Sequence, residues 1–303
     1  MAAHGSKRII YAALIGNALI SVTKFAAASF TGSAAMLAEG IHSLVDTGNQ
    51  VLLLHGIRRS KRPADEQFPF GHGKEIYFWS FVVAILIFAL GSGISLYEGF
   101  HHVMHPAEIS NPLVNYLVLG AAFIFEGIAW MMAFREFRSV ARGRSVMQTV
   151  NESKDPTTFV VLFEDTAALL GLLVAAVFLA LNQLLDMPVL DGVASILIGV
   201  ILGGTAVCLA LRTKSLLIGE AADPALVEAV RQRALALEAV ENVNEVLTLH
   251  MGPDYVLLNL SVDFKDELDA GDIEKTIEKL TRDIRLAHPD IKRVFVEAED
   301  SSQ

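Results

Sequence analysis

The stretch "MLAEGIHSLVDTGNQVLLLHG", residues 36–56, has the length and apolar content of a membrane span, yet Glu39, His42, Asp46, Asn49 and Gln50 lie within it. An α-helix turns once every 3.6 residues, so Glu39, His42, Asp46 and Asn49, spaced by 3, 4 and 3, share one face. Ile41, Leu44, Val45, Val51, Leu52 and Leu53 are left for lipid or for neighbouring helices. An ionised side chain at mid-bilayer costs at least ~2.5 kcal/mol on insertion scales, so such a stripe needs a partner or a watery path.

The rest of the chain supports a membrane setting. It has 303 residues, 53% of them hydrophobic, and a mean hydropathy of +0.47, which marks an integral membrane protein. Six apolar stretches, near 9–31, 36–57, 76–99, 112–134, 157–182 and 189–211, can each cross a hydrocarbon core of roughly 30 Å as a helix. The N-terminal "MAAHGSKRIIYAALIGNAL" runs into the first stretch with no small-residue cleavage pattern, so it reads as a retained span. Cys208 is the single cysteine, which excludes an intrachain disulfide and any thiolate cluster, and it reads as a packing residue.

Orientation follows from the connections. Lys7 and Arg8, then Arg58, Arg59, Lys61, Arg62 and Lys74, then Arg135, Arg138, Arg142, Arg144 and Lys154 fall on one side, whereas "TGSAA", "HHVMHPAEISNP" and "NQLLDMPVLD" contain no Lys or Arg. By the positive-inside rule both termini are cytoplasmic. The net charge of −10 belongs to the last third, since residues 1–214 hold 15 basic and 15 acidic residues. Neither part has the basic patch that nucleic-acid binding needs. The acidity of that last third reads as solubility or as a means of concentrating cations.

After Arg212 the pattern changes. "DPALVEAVRQRALAL" predicts an amphipathic helix opened by Asp223 and Pro224. "NEVLTLHM" and "YVLLNLSVDF" predict strands joined by "GPD", followed by the helix "AGDIEKTIEKLTRDIRLAH" and the strand "KRVFVEAE". The expected architecture is therefore an α-helical membrane domain of six transmembrane helices, residues 1–212, followed by a cytoplasmic α+β ferredoxin-like (αββαβ) domain, residues 213–303, with its helices on one face of a small sheet.

In the fifth span "VVLFEDTAALLG" places Glu164 and Asp165 in an apolar context. A His and several carboxylates brought together from two helices suit a divalent transition metal such as Zn²⁺. Three readings of the stripe stay open on these grounds: a helix-packing network, a proton relay and a metal path.

"TGSAAMLAEGIHSLVDTGNQ", "FGHGK", the six spans and the αββαβ tail together resemble the cation diffusion facilitator family of metal/proton antiporters, and "HSLVDTGNQ" with "EDTAALLG" is most similar to its zinc transporter nine-like subgroup. The resemblance implies a transport site of two residues four apart on span two, here His42 and Asp46, and two residues four apart on span five. There Asp165 matches, but Val161 stands where a ligand belongs; Glu164 is the candidate replacement, with Asn49 weaker. Glu164 is rotated by about 100° from Asp165, which would alter the usual tetrahedron. The resemblance also implies a loop metal site at Asp65 and His72, with Phe68 in place of its intermediate histidine. It implies a metal-braced homodimer through the cytoplasmic domain, where Asn244, Asn259, Glu297 and Glu299 replace the expected ligands and make a tight zinc pair unexpected.

Other residues carry plainer readings. His101 and His105 lie one helical turn apart and read as a polar helix end or a metal landing patch. His250 reads as a strand-end surface or interface histidine. Glu126 must find a partner in span four, as a structural pair or on an ion route, and Lys24 in span one snorkels or pairs with an acid. Asp191 favours the N-terminus of its own helix. Gly192, Ser195, Gly199 and Gly203 form a small-residue stripe for a close helix contact.

The expected function is export of a divalent metal, Zn²⁺ foremost and Mn²⁺, Fe²⁺ or Co²⁺ its rivals, in exchange for protons, with no prosthetic group. The expected location is a bacterial-type cytoplasmic membrane. The spans hold no HExxH and no serine/lysine nucleophile arrangement, so an intramembrane metalloenzyme is not expected. The alternative is a membrane metal sensor or scaffold that binds without flux.

Overall fold

The computed structural model describes residues 3–300 apart from Arg142 and Arg144, and only the backbone of 3–13, Val140 and Met147. Arg142, Arg144 and the side chains of Lys7 and Arg8, used above for orientation, thus lie outside the described residues. The chain divides into two compact units, Met1–Ile57 with Phe78–Thr213, and Arg58–Tyr77 with Lys214–Gln303.

The first unit is helical. Its elements are α1 (Ala3–Thr31), α2 (Ala34–Ser60), α3 (Glu75–Leu86), a π-helical segment (Ile87–Ser92), α4 (Gly93–Met104), α5 (Pro112–Ala141), α6 (Val146–Glu152), α7 (Pro156–Leu185) and α8 (Val189–Ile218). The segment Glu75–Met104 runs as one span, and among the described residues five helices are long and apolar enough to cross a membrane. The sixth long helix is α2, of 27 residues, whose hydropathy is lowered by its polar stripe. The protein is a multi-pass membrane protein, with large apolar side chains such as Phe30, Leu117 and Ile124 on the outside of its helices.

The helices outrun the apolar windows that revealed them. α5 continues to Ala141 through Arg135 and Arg138, because a helix needs backbone hydrogen bonds rather than lipid. The short α6 has no apolar period and is not readable as an element. Ser145 caps its start by accepting from the Gln148 amide, and the Arg212 guanidinium donates to the carbonyls of Val150, Asn151 and Ser153 at its end.

α1 and α2 are joined by Gly32 and Ser33 alone, and Gly32 takes a left-handed φ of 73°. The start of α2 is capped from a distance. Asp191 Oδ1 accepts from Ser33 Oγ at 2.6 Å, and its Oδ2 accepts from the Ala34 amide. Asp191 lies in the first turn of its own helix as expected, and its carboxylate is also buried against the N-terminus of α2, where the unpaired amides attract negative charge.

The small-residue stripe on α8 makes the close contact expected of it. Ser92 Oγ donates to the Gly199 carbonyl and Ser195 Oγ to the Ser95 carbonyl, both at 2.8 Å. A Cβ at Gly99 would meet the Ile196 amide nitrogen at 2.7 Å and the Gly192 carbonyl at 2.9 Å. Backbones this close exclude any larger side chain.

In the second unit, α9 (Pro224–Leu235), β1 (Val240–Gly252), β2 (Tyr255–Phe264), α10 (Ala270–Ala287) and β3 (Ile291–Ala298) follow in the expected αββαβ order. β2 is central, antiparallel to β1 and parallel to β3. Its alternate residues Val256, Leu258, Leu260 and Val262 are buried with Val230 and Ala234 of α9 and Leu280 and Ile284 of α10, and the two helices touch each other. Asp223 and Asp269 cap the two helices. His250, expected at a surface or interface, is buried, with Nδ1 3.3 Å from the Gly252 carbonyl.

Gly99→Ala should lower the melting temperature of the detergent-solubilised protein, by an amount corresponding to about 1–3 kcal/mol of overpacking. Gly204→Ala, where a Cβ meets nothing within 4 Å, should not. Equal melting of the two variants would show that the contact is not tight.

Candidate cation site

A buried charge with no water nearby must be matched by protein groups. The interior of the helical unit meets this requirement first at Lys24. Its side chain is fully buried on α1, and Nζ donates to Glu39 Oε2 of α2 at 3.0 Å, Ser43 Oγ at 2.9 Å and Glu126 Oε1 of α5 at 2.8 Å. Glu39 approaches α7 closely at Gly171, where an added Cβ would have to push the Glu39 carboxylate aside. The sequence flags Lys24 and Glu126 as groups in want of partners, but not that they are partners of each other.

The stripe of α2 lies inward as its spacing requires. Glu39, His42 and Asn49 are buried, while Leu44 and Val51 on other faces are exposed. His42 Nδ1 lies 3.4 Å from Asp46 Oδ1, too long and poorly aligned for a hydrogen bond. Both ring nitrogens of His42 and Oδ1 of Asp46 are therefore buried without a hydrogen-bond partner. Groups left so in a native interior call for an explanation, and a ligand that comes and goes supplies one.

The span-five residues separate. Glu164 is buried and its Oε1 accepts from Asn49 Nδ2 at 2.8 Å, so the candidate replacement ligand is bonded to the weaker candidate. Asp165, one residue on, faces a cavity of about 20 Å³ walled by Asn17, Ile20, Ser43, Asp46, Glu126, Ala129, Asp165 and Ala168. That volume holds about one water. Asp46 and Asp165 thus meet on one space and Glu164 does not border it. Among the described residues no three His, Cys, Asp or Glu side chains already converge as tightly as a bound metal would draw them.

The loop pair lies in the other unit. Asp65 Oδ2 is 3.0 Å from His72 Nε2, Asp65 Oδ1 accepts from the Phe68 amide at 2.7 Å, and the Phe68 ring packs 4.6 Å from the His72 ring. His72 Nδ1 lies 3.9 Å from Glu75, which in turn takes two hydrogen bonds from Arg59. Phe68 thus covers an Asp–His clasp. A Cβ at Gly73 would strike the Met251 carbonyl, so the loop lies directly against the β1–β2 turn.

On the sheet, Asn244 donates to Ser261 Oγ and to the Glu299 carbonyl, and Ser261 donates to Glu299 Oε2 at 2.6 Å. Asn259 and Glu297 sit on the neighbouring strand positions opposite Phe295 and Ser261. The rings of His101 and His105 lie tilted against each other with centres 5.0 Å apart.

Lys24→Met should destabilise the protein by about 3–5 kcal/mol, because two carboxylates are left buried without their cation, and adding Glu39→Gln should restore much of the loss. Thermal denaturation of both variants in detergent tests this; additive losses would contradict it. The hydrogen bond from His72, aided by the Phe68 amide, holds the exposed Asp65 carboxyl below its usual 3.8. A carboxyl with a lowered folded-state pKa stabilises above its ordinary pKa and loses that effect as the pH falls through the lowered one. Hydrogen exchange of residues 65–74, corrected for intrinsic rates, should therefore stay constant from neutral pH to about pH 5 and quicken only in more acidic solution. Loosening already near pH 6 would assign the clasp to a different group.

The family model described as "Cation efflux transmembrane domain" matches residues 10–218. A mitochondrial proton-coupled zinc antiporter of Xenopus laevis is 34% identical over 291 residues, 93% of this chain and 52% of that protein. The human protein of the same description is 32% identical over 284 residues, 91% of this chain and 50% of that one. The cation-efflux pump FieF of Cronobacter sakazakii is 35% identical over 118 residues, 39% of each chain. The chain thus spans about half the length of the mitochondrial relatives it matches.

Proposed function

Because the chain belongs to the cation efflux family, a family of transporters rather than enzymes, we propose that it exports a divalent metal cation, Zn²⁺ foremost, from the cytoplasm in exchange for protons. The relatives whose printed names specify a zinc antiporter support the choice of metal. His42, Asp46 and Asp165 are the ligands we assign, with Glu164 and Asn49 paired alongside. The observation that carries the reading is the buried imidazole of His42, with neither nitrogen satisfied, beside an equally unsatisfied Asp46 oxygen. Asp46 also walls the cavity that Asp165 faces.

The chemistry of antiport follows from this ligand set. Imidazole binds metal through a neutral nitrogen and carboxylates bind it when ionised, so metal and protons compete for the same atoms. A site that opens alternately to the two sides of a membrane converts that competition into exchange. Both termini are assigned to the cytoplasm by the basic connections, and the αββαβ unit serves a homodimer. The mitochondrial names of the relatives lend no support to a bacterial cytoplasmic membrane, and the mechanism does not depend on which membrane holds the protein.

Zinc uptake into sealed proteoliposomes under an imposed proton gradient, with a pH indicator inside, should show opposing proton movement. Asp165→Ala should reduce both to the level of protein-free vesicles. Zinc binding without movement of either ion would make the protein a membrane metal sensor and overturn the transport reading.

A further inference from the structure

Resting on that reading of the site, we infer that Glu126 of α5 supplies the carboxylate ligand that span five lacks at Val161, with Lys24 as its counter-ion while the site is empty. Three carboxylate side chains wall the 20 Å³ cavity, from three helices: Asp46 of α2, Glu126 of α5 and Asp165 of α7. Glu164, one residue from Asp165, is not a wall of the cavity and gives its Oε1 to Asn49. Glu126 is held differently at its two oxygens. Oε1 accepts from Lys24, whereas Oε2 is buried and has no partner.

A second, independent observation points to an occupant. The His42 side chain is only 1% exposed, neither of its nitrogens has a partner, and its Nδ1 lies 3.4 Å from the Asp46 wall. One imidazole nitrogen and three carboxylates make four ligands, the number Zn²⁺ takes in closed sites, and each of the four side chains is already placed by a different constraint. Lys24 explains why an acid can wait there. An ammonium shared between Glu39 and Glu126 neutralises part of the charge that an empty cluster of acids would otherwise bury, and it engages only one of the two Glu126 oxygens. The substitution of Val for a ligand on α7 is thereby met from α5, the helix that packs along α7 and donates Trp130 Nε1 to Thr166 Oγ1 one residue beyond Asp165.

The test is zinc affinity of the full chain in detergent, by competition with a chromogenic chelator, with melting curves confirming that each variant folds. Glu126→Gln should weaken zinc binding by about tenfold or more, as Asp165→Asn does, and by a larger factor than Glu164→Gln. A merely structural role for Glu126 acts through its tether to Lys24. The double variant Lys24→Met with Glu39→Gln removes that tether while leaving the Glu126 carboxylate, and should bind zinc at least as tightly as the parent. With Co²⁺ in place of zinc, the visible absorption bands of parent and Glu126→Gln should differ, because a ligand has been changed.

Parent-like affinity and an unchanged Co²⁺ spectrum in Glu126→Gln, alongside weakened Asp165→Asn, would overturn the inference while leaving the site itself intact. So would a loss in the double variant as large as that in Glu126→Gln. If Asp46→Asn and Asp165→Asn also bind like the parent, the site assignment fails before Glu126 is in question.

Discussion

The ammonium of Lys24, fully buried and shared by two carboxylates, is the constraint around which the helical unit is arranged. A lysine so placed in a low-dielectric interior is tolerable only with its partners in contact, which fixes α1, α2 and α5 relative to one another at one point. The neighbouring contacts fit that approach. Ser21 of α1 donates to the Gly40 carbonyl of α2, and the Phe25 ring lies against Gly40 where a side chain would have to push it aside. With the two helices joined by only Gly32 and Ser33, the polar face of α2 is turned inward along its length and its apolar residues Leu44 and Val51 are left outside.

The polar groups inside this unit then fall into two kinds. Lys24 with its acids, Asp191 with Ser33 and Ala34, and Glu164 with Asn49 exchange hydrogen bonds with each other, although Glu39 Oε1 and Asn49 Oδ1 are left without a partner. His42 makes no hydrogen bond at either ring nitrogen, and Asp46 and Glu126, which wall the small cavity, each keep one oxygen without a partner. Desolvation is costly for both kinds, and a ligand from outside the chain would repay it for the second. On the proposed function, a transported cation absent for part of each cycle is a ligand of that character, and exchange with protons would give the same atoms a partner in the other half.

Much of this was legible in the sequence because it is local. The helix period placed the stripe of α2 on one face, the apolar windows located the six long helices, and Asp223 with Pro224 announced α9. What escaped is what depends on distance along the chain. Lys24 and Glu126 are separated by 102 residues and Ser33 and Asp191 by 158, and no periodicity carries such pairings. Asp165 and Glu164 are the sharpest case. As neighbours on a helix they face different directions, and which of them reaches the cavity depends on where Asn49 lies on another helix. The short α6 escaped for the opposite reason, since its ends are held by Ser145 and Arg212 rather than by an apolar face.

The second unit shows the contrasting condition. Its apolar core is built from alternating residues of β2 and the two helices, and three polar residues on the sheet bond to one another, Asn244 with Ser261 and Ser261 with Glu299. In the loop of residues 58–77 the same holds, with Asp65 bonded to His72 and Glu75 to Arg59. A metal entering either place must first break hydrogen bonds that the protein already makes, so its binding is weakened by their worth, about 0.5–1.5 kcal/mol for each neutral pair and more for the charged ones. At His42 no such bond stands in the way. The difference between the two places is thus not only how many His, Asp and Glu residues they contain but whether those residues have already found one another, and the proposed cation site at His42 rests on that difference.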